Sequence, residues 1–230
     1  MKNPGMRIVT HIERVPHELV EKFKDAPAAN VADCSGRLFA MNASIHPMGK
    51  GKKLCGTAVT VKSAIADNGM FHKAMSMAQP GDIMVVNACG DTNHSVCGDV
   101  MFRYAMSKHL GGMIIDGCVR DLDFLQNTDF PVFALGATPR GPYKNPVGEI
   151  NTDIACGGQV IHPGDLVIGD EDGVVVVRKE DAETIWTKLQ TTLKNEAHFT
   201  ELLESGTWDE ESPLLKKINA QIEELGFEII

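Results

Sequence analysis

Two short stretches of this chain hold residue types that can do chemistry on a small acid. The first is Gly98-Asp99-Val100-Met101. A glycine ahead of a helix lets the backbone come close to a ligand. The first amides of a helix have no partner inside it and point outward. Gly98 and the amides of Val100 and Met101 therefore suit a carboxylate, although most Gly-Asp pairs are only helix caps. The second stretch is Asp116-Gly117-Cys118-Val119-Arg120-Asp121. Arg120 offers a planar fork of donors for a carboxylate or enolate oxygen. Asp121 offers hard oxygen ligands for Mg2+ or Mn2+. Alone, such an Arg-Asp pair is commonly a surface ion pair and cap. Together the stretches supply amide donors, a guanidinium and a metal-binding carboxylate, which is what bond cleavage next to a 2-oxo acid requires.

For these residues to meet, both stretches must lie at the mouth of one strand–helix–strand unit. The apolar run Ile83 to Asn87 reads as a buried strand, Cys89 to Val96 as a loop, and Val100 to about His109 as a helix capped by Asp99. Met113 to Asp116 reads as a strand, Gly117 to Arg120 as a tight loop, Asp121 to Gln126 as a helical turn, and Phe130 to Leu135 as a strand. That alternation implies parallel strands with right-handed crossovers. Ligands of such sheets bind beyond the carboxyl ends of the strands. Upstream, Val15 to Lys24 and a segment from Ala29 or Asn30 to Gly36 read as helices, Gly56 to Ile65 as a strand and Met70 to Ala78 as a helix. Downstream, short strands between Gln159 and Val177 surround tight turns, and Pro163-Gly164-Asp165 echoes Pro80-Gly81-Asp82. Shared turn chemistry explains the echo. From Lys179 the pattern is helical and polar. The expectation is an α/β domain over residues 1–178 and a helical extension over 179–230 that packs on a neighbouring subunit.

The chain has 230 residues and a net charge of −9, a field that repels phosphate backbones and argues against nucleic acid as a partner. No apolar run approaches a membrane span and no signal-peptide core opens the chain, so a cytoplasmic location is expected. The six cysteines form no C-x-x-C pair and read as buried free thiols in a reducing compartment. There is no G-x-S-x-G, H-E-x-x-H or P-loop. A lysine imine has one candidate, Lys62, in a strand pattern that implies partial burial. The histidines lack zinc spacing, and His72, four residues after Asn68, is the one to watch. Met70, Met75, Met77, Met101 and Met106 read as core.

With these residues in view, the sequence resembles the class II, divalent-metal 4-hydroxy-4-methyl-2-oxoglutarate / 4-carboxy-4-hydroxy-2-oxoadipate aldolases and their sister proteins, the regulators of ribonuclease activity A. The resemblance runs from about Ala29 to Val177. It rests on NVADCSGR (Asn30 to Arg37), GTAVTV (Gly56 to Val61), Asp67-Asn68, QPGDIMVV (Gln79 to Val86) and GDVM (Gly98 to Met101). It continues through GGMIIDGCVRD (Gly111 to Asp121), FPVFALG (Phe130 to Gly136) and HPGDLVIGDEDGVVVV (His162 to Val177). The resemblance implies a compact β/α/β swivelling-type fold and a homotrimer or hexamer with sites between subunits. It implies that Asp121 binds Mg2+ (or Mn2+) directly and that Asp99 reaches it through water. Arg120 would contact substrate oxygens, the amides of Val100 and Met101 the pyruvyl carboxylate, and Asn68 the substrate. Asp33 and a C-terminal acid, best matched by Glu196, would come from neighbouring subunits. Where many relatives have an Arg shortly after that Glu, this chain has Thr200.

The expected function is a lyase that releases pyruvate from 4-hydroxy-2-oxo acids by retro-aldol cleavage. The same pocket should decarboxylate oxaloacetate, since both reactions pass through the pyruvate enolate on the metal. The loop Cys89 to Val96 would meet the leaving oxo acid. The alternative is a non-catalytic regulator that inhibits a ribonuclease by contact. A methyltransferase is disfavoured, because no glycine-rich nucleoside-binding loop follows the first strand.

Overall fold

A computed structural model describes residues 3–227. Its contacts divide the chain into a first unit that runs to Trp186 and a second that begins at Thr187.

The first unit is built on a mixed sheet. Its centre is four parallel strands: β3 (Leu54–Ser63), β4 (Ile83–Cys97), β5 (Gly112–Val119) and β6 (Val132–Ala137). They are joined by α3 (Gly69–Met77), α4 (Asp99–Ser107) and α5 (Leu122–Gln126), as the alternating pattern required. Short strands β1 (Arg7–Ile8), β2 (His46–Pro47) and β7 (Gly148–Ile150) extend the order to β1-β7-β3-β4-β5-β6-β2. The hairpin β10 (Leu166–Asp170) and β11 (Gly173–Val177) joins β3 antiparallel through β10. A separate pair, β8 (Ile154–Cys156) and β9 (Gln159–Ile161), completes the strands. Before β3 come α1 (His17–Phe23) and α2 (Ala28–Cys34).

The two-residue period of a strand explains why the central strands are apolar throughout. Met84, Val86, Met113 and Ile115 face one core with Phe71 and Phe102 from α3 and α4. Ile83, Val85 and Ile114 face the other with Phe133, Val167 and Val176. Met70, Met75 and Met101 are core residues as expected, whereas Met106 is 39 % exposed. Four cysteines are buried, but Cys89 is exposed and Cys55 is intermediate. Lys62 is exposed on β3, which removes the burial an imine-forming lysine would need.

The two Pro-Gly-Asp turns are the same device. In each, the Asp carboxylate accepts the amide three residues back (Gln79 to Asp82, 2.8 Å; His162 to Asp165, 2.9 Å). In each, the Asp amide returns the bond to that residue's carbonyl at 3.1 Å.

The sharpest departure from the sequence reading is β4. The segment Cys89 to Val96, expected as a loop, stays in the sheet as a bulged continuation of the strand. Asn87 pairs with Asp116, but the next partners are Asp91 with Gly117, then Ser95 with Cys118 and Cys97 with Val119. The extra residues are accommodated where Cys89 and Gly90 adopt positive φ (61° and 67°). Likewise β5 runs on through Val119, where a loop from Gly117 was expected.

In the second unit, α6 (Ala182–Ser205) begins in the first unit, after a 3-10 turn at Lys179–Asp181. It is followed by α7 (Trp208–Glu211) and α8 (Pro213–Leu225). The bounds of α8 follow from its sequence. The Ser212 side chain accepts the Leu215 amide, Pro213 opens the first turn, and Gly226 closes the helix in the left-handed conformation. Among the described residues no helix is long and apolar enough to cross a membrane.

Candidate active site

The carboxyl ends of β4 and β5 bring the two chemical stretches together. Their ladder extends one step past the strands, the Arg120 amide donating to Cys97 O at 2.9 Å. That bond sets Gly98 directly against Arg120 and Asp121. A Cβ on Gly98 would lie 2.5 Å from Asp121 Oδ2 and 2.9 Å from Arg120 Nε, so any larger residue would push one of these side chains aside. Gly98 itself is the N-cap of α4, in extended geometry, and Asp99 is the first helical residue rather than the cap the sequence suggested. The Asp99 amide donates to Asp121 Oδ2 at 2.9 Å. Asp121 sits in the left-handed region (φ 61°, ψ 45°) as the N-cap of α5.

The helix cradle is partly occupied by the protein. The Met101 amide donates to Gly98 O at 3.0 Å and the Asp99 amide holds Asp121. Among the described residues the Val100 amide has no protein acceptor, and the Val100 side chain is 72 % exposed. Arg120 Nε lies 3.6 Å from Asp121 Oδ2, and Arg103 Nε lies 3.6 Å from Asp99 Oδ2. Both carboxylates stay well exposed to solvent (side chains 39 % and 40 %) and able to take further partners.

Two hollows meet at Arg120. The inner one, about 180 Å3, is walled by Asn68, His72, Gly98, Val100, Met101, Arg120, Pro142 and Lys144, among others. It therefore gathers Asn68, Gly98, Val100, Met101 and Arg120, the residues that the resemblance assigns to substrate. The outer one, about 330 Å3, is lined by Arg120, Asp121, Ala137, Thr138 and Pro139. A larger groove of about 820 Å3 shares Ala137 with it and includes His46, Lys50 and Glu171.

Asn68 ends the loop before α3, and its Nδ2 donates to Val96 O at 3.0 Å. One turn on, His72 presents its ring to the inner hollow, and burial and then the charge of Lys144 push its pKa down. Lys144 had no sequence signal. It lies in the irregular segment after β6, which Asp67 fastens over α3 by accepting the amides of Gly69 and Asn145. A Cβ on Gly69 would fall 2.8 Å from Pro146, so the segment packs as closely as backbone can. Of the stretch Cys89 to Val96, expected to meet the leaving oxo acid, only Val96 reaches the inner hollow.

Asp33, half-exposed on α2, forms an ion pair with Arg37 at 2.6 Å, and Glu196 lies on α6 in the second unit. The residues that could hold a divalent cation in this chain are Asp121 and Asp99. No group of three or more His, Cys, Asp or Glu among the described residues is arranged to hold a metal. Mg2+ asks less, since one or two carboxylates and waters satisfy it. Asp121 Oδ1, which accepts no hydrogen bond from the described protein, fits that demand.

An arginine and a half-exposed carboxylate lie side by side at a helix N-terminus, at the mouth of a parallel sheet, on an α/β fold. By its sequence the chain belongs to the RraA-like, Aldolase/RraA family, which matches residues 25–176. It is 34 % identical over 171 residues to a Halalkalibacterium halodurans protein named "Putative 4-hydroxy-4-methyl-2-oxoglutarate aldolase", covering 74 % of this chain and 81 % of that one. It is 36 % identical over 121 residues to a Hahella chejuensis protein of the same name, covering 53 % and 73 %. Among solved structures it is similar to Streptomyces coelicolor RraAS2, described as an unusual member of the RNase ES inhibitor RraA family. That match has 25 % identity and a TM-score of 0.72, over 84 % of this chain and 100 % of that one.

Proposed function

We propose that this protein is a divalent-metal-dependent carbon–carbon lyase. It cleaves 4-hydroxy-2-oxo acids by retro-aldol chemistry with release of pyruvate, and it decarboxylates oxaloacetate. The observation that carries the reading is the position of Arg120. It forms part of the wall of a hollow that Lys144 and Val100 also line, and its Nε lies 3.6 Å from the Asp121 carboxylate. The cationic wall and the free amide suit the carboxylate of a 2-oxo acid. Mg2+ on Asp121 would supply Lewis-acid polarisation of the keto oxygen. In the reaction the C3–C4 bond breaks, the C4 hydroxyl loses its proton to become a carbonyl, and the electron pair passes to the enolate of pyruvate, which is protonated at C3. Arg120 stabilises the enolate oxygen. Asp99 accepts the hydroxyl proton through a water. We place Asp33 and Glu196 of neighbouring copies in a homotrimer or hexamer around this site.

The test is pyruvate release from oxaloacetate and from 4-hydroxy-4-methyl-2-oxoglutarate, with Mg2+ and with EDTA. Turnover that needs the metal and Asp121 supports the lyase. A folded, Mg2+-binding protein that releases no pyruvate from either compound favours the second reading, a regulator of ribonuclease activity. The kinship with RraAS2 keeps that reading in view, because fold alone does not separate the two.

A further inference from the structure

The two hollows at Arg120 differ in a way that assigns the two halves of a substrate. The inner one has two cationic residues in its wall, Arg120 and Lys144, beside Val100. The outer one adds to Arg120 and Asp121 only three neutral residues, Ala137, Thr138 and Pro139. Arg120 borders both, so a molecule held on its guanidinium can reach into each. The reaction proposed above fixes which end goes where. The carboxylate and keto oxygen belong with the inner cations and the Val100 amide. The bond that breaks lies beyond C3, so the departing fragment must extend past Arg120 into the outer hollow.

The outer wall is built to be rigid. The Thr138 amide donates to Val119 O at 3.0 Å, which ties the end of β6 to the strand that carries Arg120. Pro139 restricts Thr138 to extended geometry. Immediately beyond, Arg140 O accepts both the amide of Ser95 at 2.8 Å and its hydroxyl at 2.9 Å. Side chains on a wall held this way discriminate ligands better than side chains on a free loop. Thr138 carries the one hydroxyl in this hollow, and among the described residues that hydroxyl has no hydrogen-bond partner. It is half-buried.

We infer that the outer hollow is the subsite for the leaving oxo acid and that Thr138 is a specificity-determining residue there. Its hydroxyl donates to the carboxylate carried on C4 of a 4-hydroxy-2-oxo diacid. The inference rests on the lyase reading. The monoacid 4-hydroxy-2-oxopentanoate serves as the internal control, because it carries a methyl and no carboxylate on C4, whereas oxaloacetate reports only whether the lyase chemistry is present.

The experiment compares the intact protein with Thr138→Val and Thr138→Ser, in Mg2+, on three compounds. These are 4-hydroxy-4-methyl-2-oxoglutarate, the monoacid 4-hydroxy-2-oxopentanoate, and oxaloacetate. The expected result for Thr138→Val is a fall of about tenfold in kcat/KM on the diacid, the scale of one hydrogen bond to a charged group. The rate on the monoacid should stay within about twofold, and Thr138→Ser should restore the diacid rate. An equal loss on the diacid and the monoacid, or no loss on the diacid, overturns the subsite while leaving the lyase standing. A wild-type protein inactive on all three overturns both.

Discussion

Buried and exposed aspartates of this protein behave as two different kinds of residue. At the Pro-Gly-Asp turns the carboxylates are saturated. Asp82, 3 % exposed, accepts from Arg14 Nε at 3.1 Å, from Arg14 Nη2 at 2.9 Å and from the Gln79 amide. Asp165, fully buried, accepts the amides of His162 and Lys179. At the other end of the parallel strands, among the described residues, Asp121 has one backbone donor and an Arg at 3.6 Å, and the Asp99 carboxylate has only Arg103 at 3.6 Å. A carboxylate whose lone pairs are all spoken for by its own chain holds the fold together. One left half-open beside a guanidinium is equipped to bind something else.

Substitutions on the two sides should therefore separate activity from stability. The largest effect is expected from Arg120→Ala and Asp121→Asn, each lowering pyruvate release on the order of a thousandfold. Their melting temperatures should stay near wild type, since both side chains are substantially exposed. Thermal melts beside the rate assay check this, and a large fall in Tm would move these residues to the structural side. Next is Gly98→Ala. The added methyl must displace Asp121 or Arg120, and a misplacement of that size costs about a hundredfold in rate. A smaller effect of the opposite kind is expected from Asp82→Ala. It leaves Arg14 unpaired and should cost about 2 kcal/mol, less than a fully buried pair because Arg14 is partly exposed. Chemical denaturation should show that loss while kcat holds. The smallest concerns His72. Its pKa lies below its ordinary value near 6.5, so the unfolded chain takes up the proton first as pH falls. Stability contributed by the neutral ring is complete above about pH 6.5 and declines below it. Stability measured between pH 7 and 5 should therefore fall less steeply in His72→Gln than in wild type.

The sequence disclosed most where local patterning decides the outcome. The apolar runs at Ile83, Met113 and Val132 could only be buried strands, and the glycine ahead of Val100 marked the helix that faces the inner hollow. Arg120 and Asp121 were legible because they follow such a strand. The continuation of β4 through Cys97 was not, because bulged pairing with Gly117 and Cys118 depends on a partner strand and leaves no alternation in the sequence. The short strands β1, β2 and β7 escaped for the same reason, since two or three residues carry no period. Lys144 reaches the hollow through a segment fastened by Asp67, across a separation in sequence that no spacing rule spans.

The left-handed backbone at Asp121 also bears on how such a protein changes over generations. Asparagine and glycine are the replacements that tolerate this geometry best. Each is a single-base change from an aspartate codon, and each removes the charge. Most other replacements would strain the turn before chemistry was at stake. The shortest mutational routes at this position therefore remove the carboxylate's charge and spare the fold.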